Sequence, residues 1–188
     1  GFSHVKEKDV LGLLEQKIIL NYDLDLLGPP KKGDVILIGS KGGAKMVIDA
    51  IRSNGELFPK AILEDNSIKI KEVLGVPIIG STLLLNKLLN LGYNSIILCF
   101  GNIFNRSNRL DKYVELRDMG FNFPNVIHKD ASVEPSVSMG VGNIILAGSI
   151  VGSEAKILDL NYLNTGSILS HECKLQNNIH LAPGSTIG

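Results

Sequence analysis

The sequence lacks tryptophan, has two cysteines in 188 residues and carries no surplus of charge. Lys plus Arg and Asp plus Glu number 19 each, so no overall field attracts nucleic acid or an anionic membrane. Cys99 and Cys173 have no CxxC spacing, which favours reduced thiols in a cytoplasmic protein. The longest apolar runs are far shorter than the roughly 20 residues that cross a bilayer, so we expect no membrane partner.

Between residues 33 and 121, short apolar runs alternate with helical patterns. The apolar runs are "DVILIG", "KAILED" and "NSIILCFG", and the helical ones are "GGAKMVIDAIRSNG", "GSTLLLNKLLNLG" and "NRLDKYVELRDMG". This alternation predicts βαβ units and a parallel sheet. We therefore expect an α/β, Rossmann-like domain over residues 33–125, preceded by an extension, 1–32, to which no role is assigned.

From residue 131 the period changes to six residues. The third position of ten successive hexads is always aliphatic: Val133, Met139, Ile145, Val151, Ile157, Leu163, Leu169, Leu175, Leu181 and Ile187. The first position is small in most hexads, as at Ser149, Ala155 and Ser167. A repeat of this length predicts a β-solenoid with three short strands per coil, over residues 126–188, and a β-sandwich is the alternative.

Two groups of residues in the first half are candidates for a phosphate and nucleotide site. The turn "GSKGGAK" leads from a strand into a helix, an arrangement that presents backbone N–H groups to a diphosphate, although such a turn can also serve the chain reversal alone. The turn residues are Gly39, Ser40, Lys41, Gly42 and Gly43. Glu64 and Asp65 end the second strand, where open α/β sheets bind ligands, and a solvent-facing turn acid is the other interpretation.

Two of the four histidines, His171 and His180, lie nine residues apart in the solenoid, which is half a coil. Neutral imidazole, with an ordinary pKa near 6.5, is suited to act as a general base. By itself, a histidine in a solenoid is more often an exposed corner residue. A zinc site shared between solenoids needs a third histidine that this pattern does not supply, so we expect no metal.

The hexads, with "NTGSILSHECKL" and "IHLAPGSTIG", resemble the PglD/NeuD-like bacterial sugar acetyltransferases, which join an N-terminal nucleotide-sugar-binding domain to a left-handed β-helix. The resemblance covers about residues 33–188. It implies acetyl-CoA as co-substrate, a nucleotide-sugar substrate and a homotrimer whose active sites lie between neighbouring solenoids.

The resemblance also assigns roles to residues. It implies that His171 is the catalytic base, that Glu172 orients it, that His180 and Gly184 contact acetyl-CoA, and that Asn164 lies near the acceptor. The "FGNIFNR" segment matches a family motif and adds to the substrate-binding set Gly101, Asn102 and Arg106. The family turn reads like "GAGGHAK", so here Gly43 replaces a histidine and Lys41 a glycine. Lys41 and Lys45 could supply the positive charge that is lost with this histidine.

These features together predict an acetyl-CoA-dependent N-acetyltransferase of a UDP-linked amino sugar in bacterial glycan biosynthesis. O-acetylation of a sialic-acid-like sugar is one alternative, since the base chemistry is the same. Another is a non-catalytic, trimeric module that binds a sugar nucleotide, because the sequence stops after little more than three coils and is expected to be truncated at its C-terminus.

Overall fold

The computed structural model describes residues 23–66, 70–100 and 107–188. The helices of the first half are α1 (Gly42–Asn54), α2 (Leu85–Asn90) and α3 (Ser107–Asp118). Its strands are β1 (Asp34–Ile38), β2 (Phe58–Leu63), β3 (Glu72–Val73), β4 (Val76–Gly80) and β5 (Ile96–Leu98). Short 3-10 helices cover Leu24–Leu27 and Thr82–Leu84. In the described ranges, no helix combines the length and the apolar character that a membrane crossing requires.

The five strands form one sheet in the order β3-β4-β2-β1-β5. The pairings of β4, β2, β1 and β5 are parallel, which confirms the predicted parallel sheet. The hairpin of β3 and β4 is antiparallel and was not predicted, because the segment "VLGVPIIG" carries no helical period that would have separated two strands.

Helices cover both faces of the sheet because its strands present apolar residues alternately to each side. Val35 and Leu37 pack with the buried side of α1, whereas Ile36 and Ile38 pack with α2 and α3. The second of these cores includes part of the N-terminal extension, since Leu24 and Leu27 are buried in it.

The second half consists of two-residue strands that pair in parallel at a spacing of 18 residues, so one coil contains three hexads. Face 1 contains β6 (Val126–Ile127), β9 (Ile144–Ile145), β12 (Tyr162–Leu163) and β15 (His180–Leu181). Face 2 contains β7 (Ser132–Val133), β10 (Ile150–Val151), β13 (Ile168–Leu169) and β16 (Thr186–Ile187). Face 3 contains β8 (Ser138–Met139), β11 (Lys156–Ile157) and β14 (Lys174–Leu175).

Burial inside this prism follows the hexad positions. The third-position side chains from Ile145 to Leu181 are buried, and those nearest the two ends, such as Val133 and Ile187, are partly exposed. The small first-position residues Ser149 and Ser167 are fully buried at a corner. The predicted solenoid is therefore confirmed, with the aliphatic residue inside and the small residue at the turn.

The prism turns its corners with left-handed residues that recur every 18 positions. The corner between faces 1 and 2 uses Gly148, Gly166 and Gly184, with φ between 66° and 69°. The corner between faces 2 and 3 uses Glu154 and Glu172, with φ of 60° and 59°. A glutamate rarely adopts this conformation, which makes both positions notable.

Two helices hold the sheet domain against the prism. On α1, the Ser53 hydroxyl accepts a 3.0 Å hydrogen bond from the Lys129 backbone N–H. On α3, the Tyr113 hydroxyl lies 3.0 Å from an Asp159 carboxylate oxygen, at the corner between faces 3 and 1. The space between the two domains is consequently bounded by α1, α3 and face 1.

Candidate active site

A cleft of about 1020 Å³ lies between the carboxyl ends of β1, β2 and β5 and face 1 of the prism. The sheet domain contributes the glycine-rich turn, 39–43, together with Glu64 and Asp65. The prism contributes Tyr162, Asn164 and His180. One chain therefore brings together the candidate phosphate turn, the acidic pair and two of the polar residues predicted from the repeat.

The glycine-rich turn places the start of α1 at the cleft wall. No side chain caps this end of the helix, and although the Ala44 N–H donates to the Lys41 carbonyl, the N–H groups of Gly42 and Gly43 precede it at the helix start and can face an anion. A Cβ atom on Gly43 would lie 2.4 Å from the carbonyl oxygen of Cys99, just after β5. Glycine at this position lets the helix start lie directly against the end of β5, and the present backbone has no room for the histidine of the family turn.

Glu64 is buried at the end of β2 and holds the glycine-rich turn in place through hydrogen bonds. One carboxylate oxygen accepts hydrogen bonds from the Ser40 backbone N–H at 2.9 Å and the Ser40 hydroxyl at 2.7 Å. The other accepts two from Asn66, at 3.0 and 2.7 Å. Burial raises the pKa of Glu64, but the hydrogen bonds from Asn66 and Ser40 outweigh it and leave the pKa below its ordinary value. Glu64 is thus an ionised support for the turn.

Asp65 is exposed beside it and also has partners within the chain. Its carboxylate accepts from the Thr82 backbone N–H at 2.7 Å and contacts the Thr82 hydroxyl at 2.9 and 3.0 Å. Contact of Glu64 and Asp65 with a substrate stays a prediction, and their observed hydrogen bonds order the cleft wall.

His180 lies on face 1, with its ring tilted by 32° over that of Tyr162 at a centroid distance of 4.9 Å. Its Nε2 is 3.4 Å from the Asn164 side-chain amide nitrogen. Burial raises the pKa of Tyr162 to about 12, so its hydroxyl stays protonated at neutral pH. His180 thus packs against an aromatic ring of the neighbouring coil and lies beside the Asn164 amide.

His171 and Glu172 lie elsewhere, at the corner between faces 2 and 3, which is the corner opposite face 1. His171 Nδ1 is 3.0 Å from a Glu172 carboxylate oxygen, and both side chains are 72% exposed. The left-handed turn at Glu172 brings the two adjacent side chains together. Because a carboxylate accepts, Nδ1 carries the proton and Nε2 is the basic nitrogen.

The remaining predicted residues lie outside the cleft or outside the described residues. Gly184 is exposed at the corner between faces 1 and 2, and it does not line the cleft. Gly101, Asn102 and Arg106 fall in a segment outside the described residues. Among the residues that are described, no group of three or more His, Cys, Asp or Glu side chains is arranged to hold a metal ion.

Comparison with known proteins agrees with this architecture. A family model described as the PglD N-terminal domain matches residues 34–113. A crystal structure of a mutant GDP-perosamine N-acetyltransferase from Caulobacter crescentus, in complex with CoA and GDP-perosamine, is 35% identical, with a TM-score of 0.73. The match covers 83% of this chain and 71% of that one. The chain belongs to the PglD/NeuD-like sugar acetyltransferase family.

A second solved structure is the acetyltransferase domain of PglB from Neisseria gonorrhoeae in complex with acetyl coenzyme A. It is 28% identical, with a TM-score of 0.74, and the match covers 84% of this chain and 74% of that one. The solenoid of the present chain is accordingly of the left-handed β-helix class, as the resemblance implied.

The sequence analysis did not identify one of the residues that line the cleft of this chain. Arg109, on α3, is 5% exposed and lines the cleft. It shares one side of α3 with Tyr113 and Leu116, which are also buried. The i, i+4, i+7 spacing of these residues was a signal in the sequence, because a charged residue in a buried stripe needs an explanation.

Proposed function

We propose that this chain is an acetyl-CoA-dependent N-acetyltransferase that acts on a nucleotide-linked amino sugar. The observation that carries the proposal is the His171–Glu172 pair, in which the carboxylate holds the Nδ1 proton and Nε2 is left as a base. Membership of the sugar acetyltransferase family supports it. So does the cleft, which joins a turn suited to a diphosphate to His180 and Asn164.

The nucleotide diphosphate binds at the start of α1 in this proposal. The N–H groups there are uncapped by a side chain, and Glu64 holds the preceding Ser40 in place. The base of the nucleotide can be uracil, as the sequence suggested, or guanine, since a relative is described with GDP-perosamine. The amino sugar then extends along the cleft toward face 1.

In the chemical step, the sugar amine attacks the thioester carbonyl as His171 Nε2 removes the amine proton. A C–N bond forms, the C–S bond breaks, and the departing thiolate receives a proton. The Glu172 carboxylate stabilises the imidazolium that forms in between. The chain itself contributes the base, its orienting carboxylate and the binding cleft.

The base and the cleft must meet across two copies of the chain. The cleft is on face 1, and His171 is at the opposite corner of the same prism. A sugar held in one cleft therefore reaches the His171 of a neighbouring copy, which supports the proposed homotrimer. Light scattering of the purified chain would measure the oligomeric state. A fully active monomer would contradict this arrangement.

The proposal is tested by following the free thiol released from acetyl-CoA, with UDP- and GDP-linked amino sugars as acceptors. Sialic acids and a nucleotide sugar without an amine serve as hydroxyl acceptors. We expect turnover with an amino sugar, its loss in His171→Ala, and near wild-type turnover in His128→Asn. His128 is a suitable control because its Nδ1 accepts from the Asp130 backbone N–H, a bond that asparagine can retain. Turnover of hydroxyl acceptors alone would contradict N-acetylation.

A further inference from the structure

Arg109 has a buried positive charge without a negative partner in the part of the chain that the structure describes. Its guanidinium donates to neutral oxygen atoms: the Leu160 carbonyl, the Asn178 side-chain oxygen at 3.4 Å and the Leu98 carbonyl at 3.5 Å. No salt bridge of the described residues includes it. The internal stretches 67–69 and 101–106 contain no Asp or Glu in the sequence.

A buried charge such as that of Arg109 destabilises the folded state unless an opposite charge lies close to it. Burial lowers the pKa of Arg109 to about 10, which still leaves the side chain charged at neutral pH. Buried charges in proteins are normally paired, because carbonyl groups alone do not replace an ion's hydration. Since Arg109 lines the cleft, an anion that enters the cleft can become its partner.

A second positive element faces the same part of the cleft. The 13-residue helix α1 begins at Gly42 with no side-chain cap, and Gly43 lies against the carbonyl of Cys99. The guanidinium of Arg109 reaches the carbonyl of Leu98, the preceding residue. The helix start and Arg109 therefore meet at the carboxyl end of β5, from opposite sides.

Of the other charged residues that line the cleft, Glu64, Asp65 and Lys112 have partners within the chain, whereas Lys41 is exposed at the helix start and Asp111 is exposed on α3. Glu64 and Asp65 are held by hydrogen bonds from Ser40, Asn66 and Thr82. Lys112 pairs with Glu115 at 2.8 Å, and Lys45 does not line the cleft. Arg109 is consequently better placed than Lys45 to neutralise an anion at the helix start, and unlike the exposed Lys41 it is buried and held by hydrogen bonds to the Leu98 and Leu160 carbonyls.

We infer that Arg109 is a binding residue for the diphosphate of the nucleotide sugar, which it holds from the side opposite the start of α1. The inference rests on the proposed function for the identity of the ligand. A guanidinium can present two parallel N–H groups to phosphate oxygens. Nη1 of Arg109 is committed to the prism, whereas Nη2 makes a 3.5 Å contact with the Leu98 carbonyl at the end of β5.

The test is calorimetric binding of GDP and of UDP to the full chain in four forms: wild type, Arg109→Gln, Arg109→Lys and Tyr113→Phe. We expect Arg109→Gln to weaken the tighter nucleotide by at least about tenfold, as loss of a charged hydrogen bond does. Arg109→Lys keeps the charge and should recover part of the loss. Tyr113→Phe removes the Tyr113–Asp159 hydrogen bond, which also joins α3 to the prism, and should change affinity by less than about twofold.

Three results would overturn the inference. Equal affinity of wild type and Arg109→Gln would show that the diphosphate does not contact Arg109. An equal loss in Tyr113→Phe would show that Arg109 acts only by joining the two domains. Failure of the wild type to bind either GDP or UDP would show that the cleft does not bind a nucleotide diphosphate. If Arg109→Gln does not fold, Arg109→Lys decides, with an expected loss of at least about threefold because the planar fork is absent.

The thiol-release assay separates this inference from the proposed function. A chain that binds GDP or UDP through Arg109 but acetylates no acceptor would contradict the function and leave the inference standing. Acetylation of an amino sugar, together with unchanged nucleotide affinity in Arg109→Gln, would support the proposed function and contradict the inference about Arg109.

Discussion

The cleft and the His171 corner are built in different ways. In the cleft, the turn, the acidic residues and His180 are held by hydrogen bonds and a ring stack, and Glu64 alone accepts four hydrogen bonds. At the corner, His171 and Glu172 contact each other and are 72% exposed. A binding surface is thus prepared within one chain, whereas the reactive pair is left open to solvent.

Because of this difference, we expect the exposed His171–Glu172 pair to depend on a second copy of the chain to exclude water from it. Hydrogen bonds and charges act more strongly when water is excluded, so an exposed pair gains most from a surface that packs over it. We therefore expect the corner to reach its working state against the cleft of a neighbouring copy, while the cleft of each copy is already shaped.

The sharpest test of the comparison is His171→Ala. We expect kcat to fall by about 10²- to 10⁴-fold, the usual contribution of a general base. Affinity for GDP or UDP should change by less than about twofold, because His171 acts on the sugar amine in the proposed function, and GDP and UDP lack that sugar. Thiol release and calorimetry give the two quantities, and a parallel loss of affinity would mean that the two regions are not independent.

Gly43→Ala tests how tightly the cleft wall is packed. The new methyl group would lie 2.4 Å from the Cys99 carbonyl, so α1 or the end of β5 must move, with an expected loss of about 1–3 kcal/mol in unfolding free energy. Gly42→Ala is the matched control, since a Cβ there has no neighbour within 4 Å. Urea unfolding of both variants should separate them, and equal stability would contradict the close approach.

Glu64→Gln tests the buried carboxylate by its pH dependence. The folded pKa lies below the ordinary 4.5, so the ionised group stabilises the fold above that value, and the contribution is lost as the pH falls through the folded pKa. At pH 7 we expect the variant to be less stable by about 1–2 kcal/mol, and the gap should close in acid.

The exposed neighbour provides the control for that experiment. Asp65→Asn should cost less at pH 7, because water can replace the lost hydrogen bonds of an exposed group. A stability gap for Glu64→Gln that is constant from pH 7 to pH 3 would show that its ionised form has no special role.

Glu172→Gln probes the open corner and has a smaller expected effect on kcat than His171→Ala. We expect kcat to fall about tenfold, more than the roughly fivefold that an exposed ion pair supports, because packing of a second copy strengthens the pair. Glu154→Gln is the matched control, one coil earlier at the same corner and with φ of 60°. Equal kcat in the two variants would mean that Glu172 does not orient the base.

Much of the fold was predictable because short-range rules produce it. The hexads predicted which residues point into the prism and which lie at corners, and the burial of Ile145, Ser149 and Val151 agrees. The pairing of His171 with Glu172 was expected from the family resemblance instead, and the contact between the two side chains depends on the left-handed turn at their corner. The β3–β4 hairpin was missed, because two short strands around a turn leave little periodic signal.

The sequence by itself determined the two periods, the glycine-rich turn, the acidic strand end and the histidine pair. Only the tertiary structure decided that face 1 closes the cleft, that His180 enters it while His171 does not, and that Arg109 is buried at its wall. The physical reason is separation along the chain: Met46 and Tyr162, which meet across the domains, are 116 residues apart, and Arg109 and Leu160 are 51 apart. No local period encodes contacts of that range, which depend on how two completed domains pack together.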